Sequence, residues 1–483
     1  MMNWLEMKQK PDMLMTNRNI GSVKKRSQFA NISIALVLAF ALARGTEAQL
    51  RAGAARVELT PPLPTGWDGP TGKYDHEHLY VRAIVVDSGR ARAALIGADQ
   101  SDMGNDVWRI ASAQIAKDLD CPLANILMSA THTHSPGADI GAGTPEAQKA
   151  TADAIIKAVR EAKSKLQPAR MAYGTGTAYL NVNRDAIDTV TRKWIQGPNT
   201  QGASDKTVAV LKFVDASGKP IGVYVNYAMH PINGYLANFG TADFPGAMSR
   251  YIEKNYGDTA VAIFSQGASG DQNPLYMHLS TDGLASRSGT PITGDEMVRE
   301  PIESRLREQG LAGKPMDPAV RDRLENWIQV EGQVLGEEVI RVMTNSTHLE
   351  QDVRIWGDTV EVTCPGRKRT DQGREGMQGA YVDAPPVPFH LGVVAIGDVA
   401  ITHIDAEVYT LIGQRVKKQS PLTNTIFTTI ADGRADTGYI PDDASFVHLS
   451  FQALGSHLKP GCAEDTIANT LADLVGKYDH KEP

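Results

Sequence analysis

Short apolar runs bounded by Gly, Pro, Asn, Asp and Ser alternate along most of this chain with longer stretches whose apolar positions recur every three or four residues. The first pattern reads as buried strand and the second as amphipathic helix. Residues 81–86 and 93–96 flank Asp87-Ser88-Gly89-Arg90, a hairpin signal, and 208–214 and 221–227 flank Asp215-Ala216-Ser217-Gly218-Lys219, another. Helical spacing covers 106–119, 144–166, 246–256, 317–343, 406–418 and 463–478. The second of these opens on Thr144-Pro145-Glu146, a cap with Pro in the first turn. The fourth sets Leu324, Trp327, Ile328, Leu335, Val339 and Val342 on one side. Further strands fall at 261–264 and 424–430, with a strand–turn–strand at 393–404. Segments 278–300 and 371–389 read as surface loops. The alternation predicts an α/β fold, mixed β-sheets flanked by helices in one large domain, without sequence repeats.

The first 48 residues stand apart from that body. Lys24-Lys25-Arg26 precede an apolar run at 29–43, and Thr46-Glu47-Ala48 offers small residues for cleavage. This succession predicts a signal peptide at 1–48 and an exported protein, periplasmic or secreted, whose working domain is 49–483. No later run reaches spanning length, so no integral membrane span is expected once the leader is removed. The chain of 483 residues carries a net charge of −7, and the leader holds seven basic against three acidic side chains, which leaves −11 on the rest. Such a body argues against nucleic acid or an anionic membrane as the main partner. Only Cys121, Cys364 and Cys462 are present, none with zinc-ribbon spacing, and the fold is not expected to rest on disulfides.

Several expected strands end in residues that bind metal or move protons. The run 125–130 leads to His132-Thr133-His134, where alternation along an extended backbone sets both imidazoles on one side, poised to hold a metal or shuttle protons. The run 221–227 leads to His230-Pro231, 399–404 to Asp405-Ala406-Glu407, and 424–430 to Asp432 and then Tyr439. Strand ends of an α/β sheet are where sites assemble. Each residue also has an ordinary role: a buried histidine for His230, a first-turn acid for Glu407, a packed aromatic for Tyr439, a surface pair with Asp185 or Asp188 for Arg184.

Ala130-Thr131-His132-Thr133-His134-Ser135, with Pro136-Gly137 behind it, resembles the motif of the neutral/alkaline ceramidases, zinc amidohydrolases that split N-acyl sphingosine. Other blocks follow in the family's order: 71–84 with His76, Asn181-Val182-Asn183-Arg184, the loop 264–274, Asp405-Ala406-Glu407 and Gly438-Tyr439. The likeness runs over roughly 51–480 and implies the family's N-terminal catalytic domain, with a metal site at strand ends. It implies Zn2+ held by His132, His230, Glu407 and Tyr439, with His134 as proton carrier and Arg184 as donor to the head group or oxyanion. His76 and His78 are then structural or pocket-lining, and Asp99 and Asp243 capping or supporting acids, with Asp243 a candidate to orient a ligand histidine.

Two positions depart from the pattern. Asn273 stands where the family loop has serine, and Phe451 where a second tyrosine follows the ligand tyrosine by twelve residues. Asparagine cannot accept an acyl group, so the retained ligands point to attack by metal-activated water, with Asn273 as a hydrogen-bonding group in the site. The resemblance thus implies cleavage of the amide of ceramide or a related small-molecule or lipid N-acyl substrate. A zinc esterase or other acyl hydrolase acting on a non-ceramide substrate, and a non-catalytic binding protein, are the competing readings. The oligomeric state is open.

Overall fold

The computed structural model describes residues 49–61, 69–135, 144–235, 240–276, 316–371 and 375–479. The leader expected at 1–48, the loop at 278–300 and Pro136-Gly137 lie outside these residues.

Three times the chain makes an antiparallel hairpin, returns through a helix, and adds a strand parallel to the hairpin's second strand. The first unit is β2 (Tyr80–Asp87), β3 (Arg92–Ala98), α1 (Asn105–Leu119) and β4 (Ile126–Ala130), extended by β1 (Arg51–Glu58) and the short β5 (Gln167–Pro168) into the order β4-β3-β2-β1-β5. The second is β9 (Thr207–Val214), β10 (Pro220–Tyr227), α3 (Asp243–Asn255) and β11 (Val261–Gln266), with β6 (Arg170–Thr177) on its far edge. The third is β14 (Tyr381–Ile396), β15 (Val399–Ile404), α5 (Thr410–Gln419) and β17 (Asn424–Thr428), with β13 (Ile355–Arg369) on its far edge.

The three sheets share one core. Ile84, Leu95 and Leu127 of the first meet Leu211, Tyr224 and Ile263 of the second and Val394, Ile401 and Ile426 of the third. Each sheet covers its other face with helices. These are α1 with α2 (Pro145–Ser164), α3 with α4 (Pro318–Asn345), and α5 with α7 (Ala463–Asp479). Strands buried on both faces are continuously apolar, as in Ala83-Ile84-Val85-Val86, all buried. α2 begins as its sequence implies, with Thr144 Oγ1 accepting from the Ala147 amide. No described helix is long and apolar enough to cross a membrane.

The expected α/β class and most strands and helices are present, with three differences. Strands β1, β6, β7 (Asn181–Ile187), β8 (Trp194–Asn199) and β13 escape the apolar-run pattern, because they are rich in small or polar residues and several are half-exposed. Residues 381–389, expected in a loop, form half of β14. Over that half β14 pairs only with β13, its pairing with β15 being confined to Leu391–Ile396. An edge tolerates Pro385, Pro386 and Pro388, whose missing N–H groups leave no gap in a ladder. The helix expected from 406 starts at Thr410, because Glu407–Val408 form β16, paired in parallel with β18 (Tyr439–Ile440).

The expectation of a fold without disulfides is also corrected. Cys364 in β13 bonds Cys462 just ahead of α7, across 98 residues. Closing a loop of that size restricts the unfolded chain by about 4.7 kcal/mol. A Cys364→Ser/Cys462→Ser double variant should lose about that much in urea unfolding; an unchanged midpoint would show that the bond does not form in solution.

Candidate active site

The ends of β4, β10 and β15 open on the same side of the common core, and the chain turns sharply after β4. His132 takes a left-handed φ of 67°, so His132 and His134 converge through a turn and not through the extended alternation expected from the sequence. The segment after β17 mirrors the turn with left-handed Ile430 (φ 56°) and Asp432 (φ 61°). Such a conformation at a β-branched residue costs about 1–3 kcal/mol and needs outside support. Reciprocal bonds supply it: Ala130 N donates to Ile430 O (3.2 Å), Asp432 N to Met128 O (2.8 Å), and Met128 N to Asp432 Oδ1 (2.8 Å). This cross-strand clamp fixes the strand from which His132 leaves.

The two histidines are also fixed from behind. His132 Nδ1 lies 2.5 Å from Ser101 O, and His230 Nδ1 lies 3.0 Å from Gln272 O. A carbonyl only accepts, so each Nδ1 carries the proton and each Nε2 presents its lone pair. Those Nε2 atoms stand 3.2 Å apart, and Glu407 Oε2 is 3.2 Å from the first and 3.3 Å from the second. His134 Nε2 is 3.3 Å from His132 Nε2, and one ring nitrogen from each of the three histidines lies within 4.8 Å of the others, a group that could hold a metal ion. Three electron-rich atoms gathered this closely, with a His134 nitrogen beside them, suit a cation. Tetrahedral N and O ligands at about 2.0–2.2 Å from an ion sit about 3.3–3.6 Å from each other, close to this spacing.

Charge agrees with geometry. Burial, reinforced by Arg184, pushes the His230 imidazole down to about 3, so it is neutral as a ligand must be. Burial works against the Glu407 carboxylate, but positive charge at the His132 and His230 rings outweighs it and holds the group well below the usual range, a charge that a cation held between neutral rings would supply instead. Burial and the neighbouring rings likewise push half-exposed His134 well below the ordinary histidine value.

Tyr439 reaches the site by strand pairing. The parallel register Glu407↔Tyr439 sets the two residues side by side, and the phenol interacts with Glu407 and Arg184. Burial, with Glu407, raises the phenol above its ordinary value against the pull of Arg184, so it stands as a neutral donor.

Arg184 is buried, not paired on the surface with Asp185 or Asp188. Its Nη2 donates to Gly270 O (2.6 Å) and its Nη1 to Asn273 Oδ1 (3.2 Å), while its guanidinium carbon lies 5.3 Å from the Tyr439 ring centroid and 5.2 Å from that of Phe451. Asn273 and Phe451, far apart in sequence, therefore meet on one guanidinium. β12 (Gln272–Pro274) pairs antiparallel with β7, which brings Asn273 beside Arg184. Gly270 lets the loop pass: a Cβ there would lie 3.0 Å from the carbonyl carbon and oxygen of Val408, next to Glu407.

The supporting groups differ from expectation. Asp243 accepts from Asn233, Gly234 and Phe244 and touches no ligand histidine, so orientation falls to the Ser101 and Gln272 carbonyls, which side-chain patterns cannot reveal. Asp99 pairs with Arg82 (3.0 Å). Buried His76 bridges Thr241 and Glu325 O, and His78 pairs with Glu58, both away from the cluster's bonds. Missed altogether was an Asp185–His448 pair (2.9 Å) with Trp194 stacked on the imidazole at 4.1 Å, directly beside Arg184 in sequence.

Residues 71–285, which include His132, His134, Arg184, His230 and Asn273, match the family described as neutral/alkaline non-lysosomal ceramidase, N-terminal. The chain is 25% identical over 280 residues to a neutral ceramidase of Drosophila pseudoobscura pseudoobscura, covering 50% of this chain and 39% of that protein. It is 29% identical over 219 residues to a neutral ceramidase of Pseudomonas aeruginosa, covering 41% of this chain and 32% of that one. The chain belongs to the neutral/alkaline ceramidase family. The aligned stretches span well under half the length of these curated relatives. Two solved ceramidase structures share the fold. One, described as a ceramidase complexed with C2, matches with a TM-score of 0.64 at 15% identity over 89% of this chain and 76% of that one. The crystal structure of the neutral ceramidase from Pseudomonas aeruginosa gives 0.63 at 14% identity over 90% and 75%. Glu407 and Tyr439 lie beyond the matched 71–285, so their place in the site rests on the geometry above.

Proposed function

We propose that this member of the ceramidase family is a zinc-dependent hydrolase of the amide bond in ceramide or a related N-acyl lipid. The observation that carries the reading is the convergence of His132 Nε2, His230 Nε2 and Glu407 Oε2 at 3.2–3.3 Å, with protons fixed on the far nitrogens. A zinc ion held there would polarise an acyl oxygen and lower the pKa of a water. Tyr439 donates from its neutral phenol beside Glu407. Arg184, held by Gly270 O and Asn273, sets a fixed positive charge where the acyl oxygen gains negative charge. His134, neutral and half-exposed, takes a proton from the attacking water and returns it to the departing amine. We also propose 1–48 as a leader and 49–483 as an exported catalytic domain, in line with the Cys364–Cys462 bond, since such bonds persist in oxidising compartments.

The test couples elemental analysis of the purified protein to mass-spectrometric screening of N-acyl and O-acyl lipids. Zinc near one per chain with fatty acid released from amides supports the reading; a zinc-loaded protein that cleaves none of them opposes it. Asn273 and Phe451 determine which head group fits around Arg184. Asn273→Ser with Phe451→Tyr should raise kcat/KM on ceramide about tenfold by restoring two hydroxyls; no gain would show that these positions do not select the head group.

A further inference from the structure

Beyond the hydrolytic centre, three segments form an exposed apolar rim. Gly376 donates to Leu449 O (2.9 Å) and packs against Trp194 O and the Lys193 side chain. Phe451 N donates to Glu375, and Trp194 stacks on His448. The turn after β7, the segment around Gly376 and the segment entering α6 (Phe451–Gly455) are thus one surface. It displays Val190 (80% exposed), Val447 (70%), Met377 (50%) and Ile187 (43%), with Trp194 and Phe451 behind them. Apolar side chains this exposed and this close mark an interaction site more often than chance. The rim joins the active site directly, because Phe451 packs on both Arg184 and Tyr439.

We propose that this rim seats the protein on a phospholipid surface, with Val190 and Val447 entering the acyl boundary. Local chemistry selects that occupant. Arg192 and Lys193 are exposed in the same turn as Val190, where phosphate head groups would meet them, and Trp194 follows as an amphipathic ring suited to the interface. The acid of the turn, Asp188, is engaged in holding it, its Oδ1 accepting from the Val190 and Thr191 amides and the Thr191 hydroxyl. The negative net charge of the whole chain argued against an anionic membrane, but this turn sets two exposed cations, Arg192 and Lys193, beside Val190. The proposal builds on the N-acyl-lipid reading: a lipid drawn from the surface beneath the rim would reach Phe451 and Arg184 first.

Flotation of the purified protein with vesicles of phosphatidylcholine alone, or mixed with phosphatidylglycerol, measures docking without turnover, so it fails independently of the catalytic reading. Wild type should bind both and bind the mixture more tightly at low salt. Val190→Glu with Val447→Glu should weaken binding at least about tenfold while leaving zinc content and thermal unfolding unchanged. Arg192→Glu with Lys193→Glu should weaken binding to the mixture at least about thirtyfold, roughly fivefold for each cation lost, and affect phosphatidylcholine vesicles little. Absence of wild-type binding to either vesicle, or variants that bind as wild type, overturns the proposal. So does a concentration-dependent dimer that the valine substitutions dissolve, which would assign the rim to a second copy of the chain.

Discussion

His230→Ala should deprive the protein of zinc and lower amide hydrolysis by at least about 10⁴-fold. This side chain is fully buried, with one ring nitrogen held by Gln272 O and the other 3.2 Å from His132 Nε2 and 3.3 Å from Glu407 Oε2. Its loss removes one of three convergent atoms and leaves Glu407 facing a single imidazole. Two remaining ligands bind zinc far more weakly than three or four. Elemental analysis and turnover are read on the same sample, with thermal unfolding as the control for collapse. A folded variant that keeps zinc and most of its activity would remove His230 from the centre.

His134→Ala should behave differently. We expect zinc to be retained and kcat to fall about 10²–10⁴-fold with KM little changed, the pattern for a lost proton carrier. His134 contributes a nitrogen 3.3 Å from His132 Nε2, yet it alone among the three imidazoles is only half-buried, and among the described residues no backbone carbonyl bonds its ring. A proton acceptor needs contact with substrate and water; a structural ligand does not. Zinc lost in parallel with activity would make His134 a ligand instead. The pair of variants therefore divides the cluster into holding and proton-moving parts.

Much of this could be read from the chain because burial leaves a clear trace. Strands covered on both faces, such as β2 and β10, are mostly apolar runs, and the ends of β4, β10 and β15 each deliver a metal-capable side chain. What the sequence could not show is how those ends meet. The threefold succession of hairpin, helix and parallel strand is a matter of hydrogen bonding, with no repeated residues to betray it. The Pro-rich half of β14 looked like a loop because an edge strand needs fewer donors. The Cys364–Cys462 bond joins segments 98 residues apart, a pairing that three scattered cysteines do not announce. Left-handed Ile430 is held by Ala130, 300 residues away in sequence, beside the Met128–Asp432 bonds, separated by 304. Asn273 and Phe451 were visible as departures from the family pattern; their shared contact with Arg184 was not.

X-ray absorption at the zinc edge of the purified wild-type protein tests the metal centre most directly. Binding by His132, His230 and Glu407 predicts about one zinc per chain, nitrogen and oxygen ligands at about 2.0–2.2 Å, and scattering from at least two imidazoles without sulfur. A sulfur shell, a spectrum lacking imidazole, or a fully active protein that purifies without zinc would contradict it.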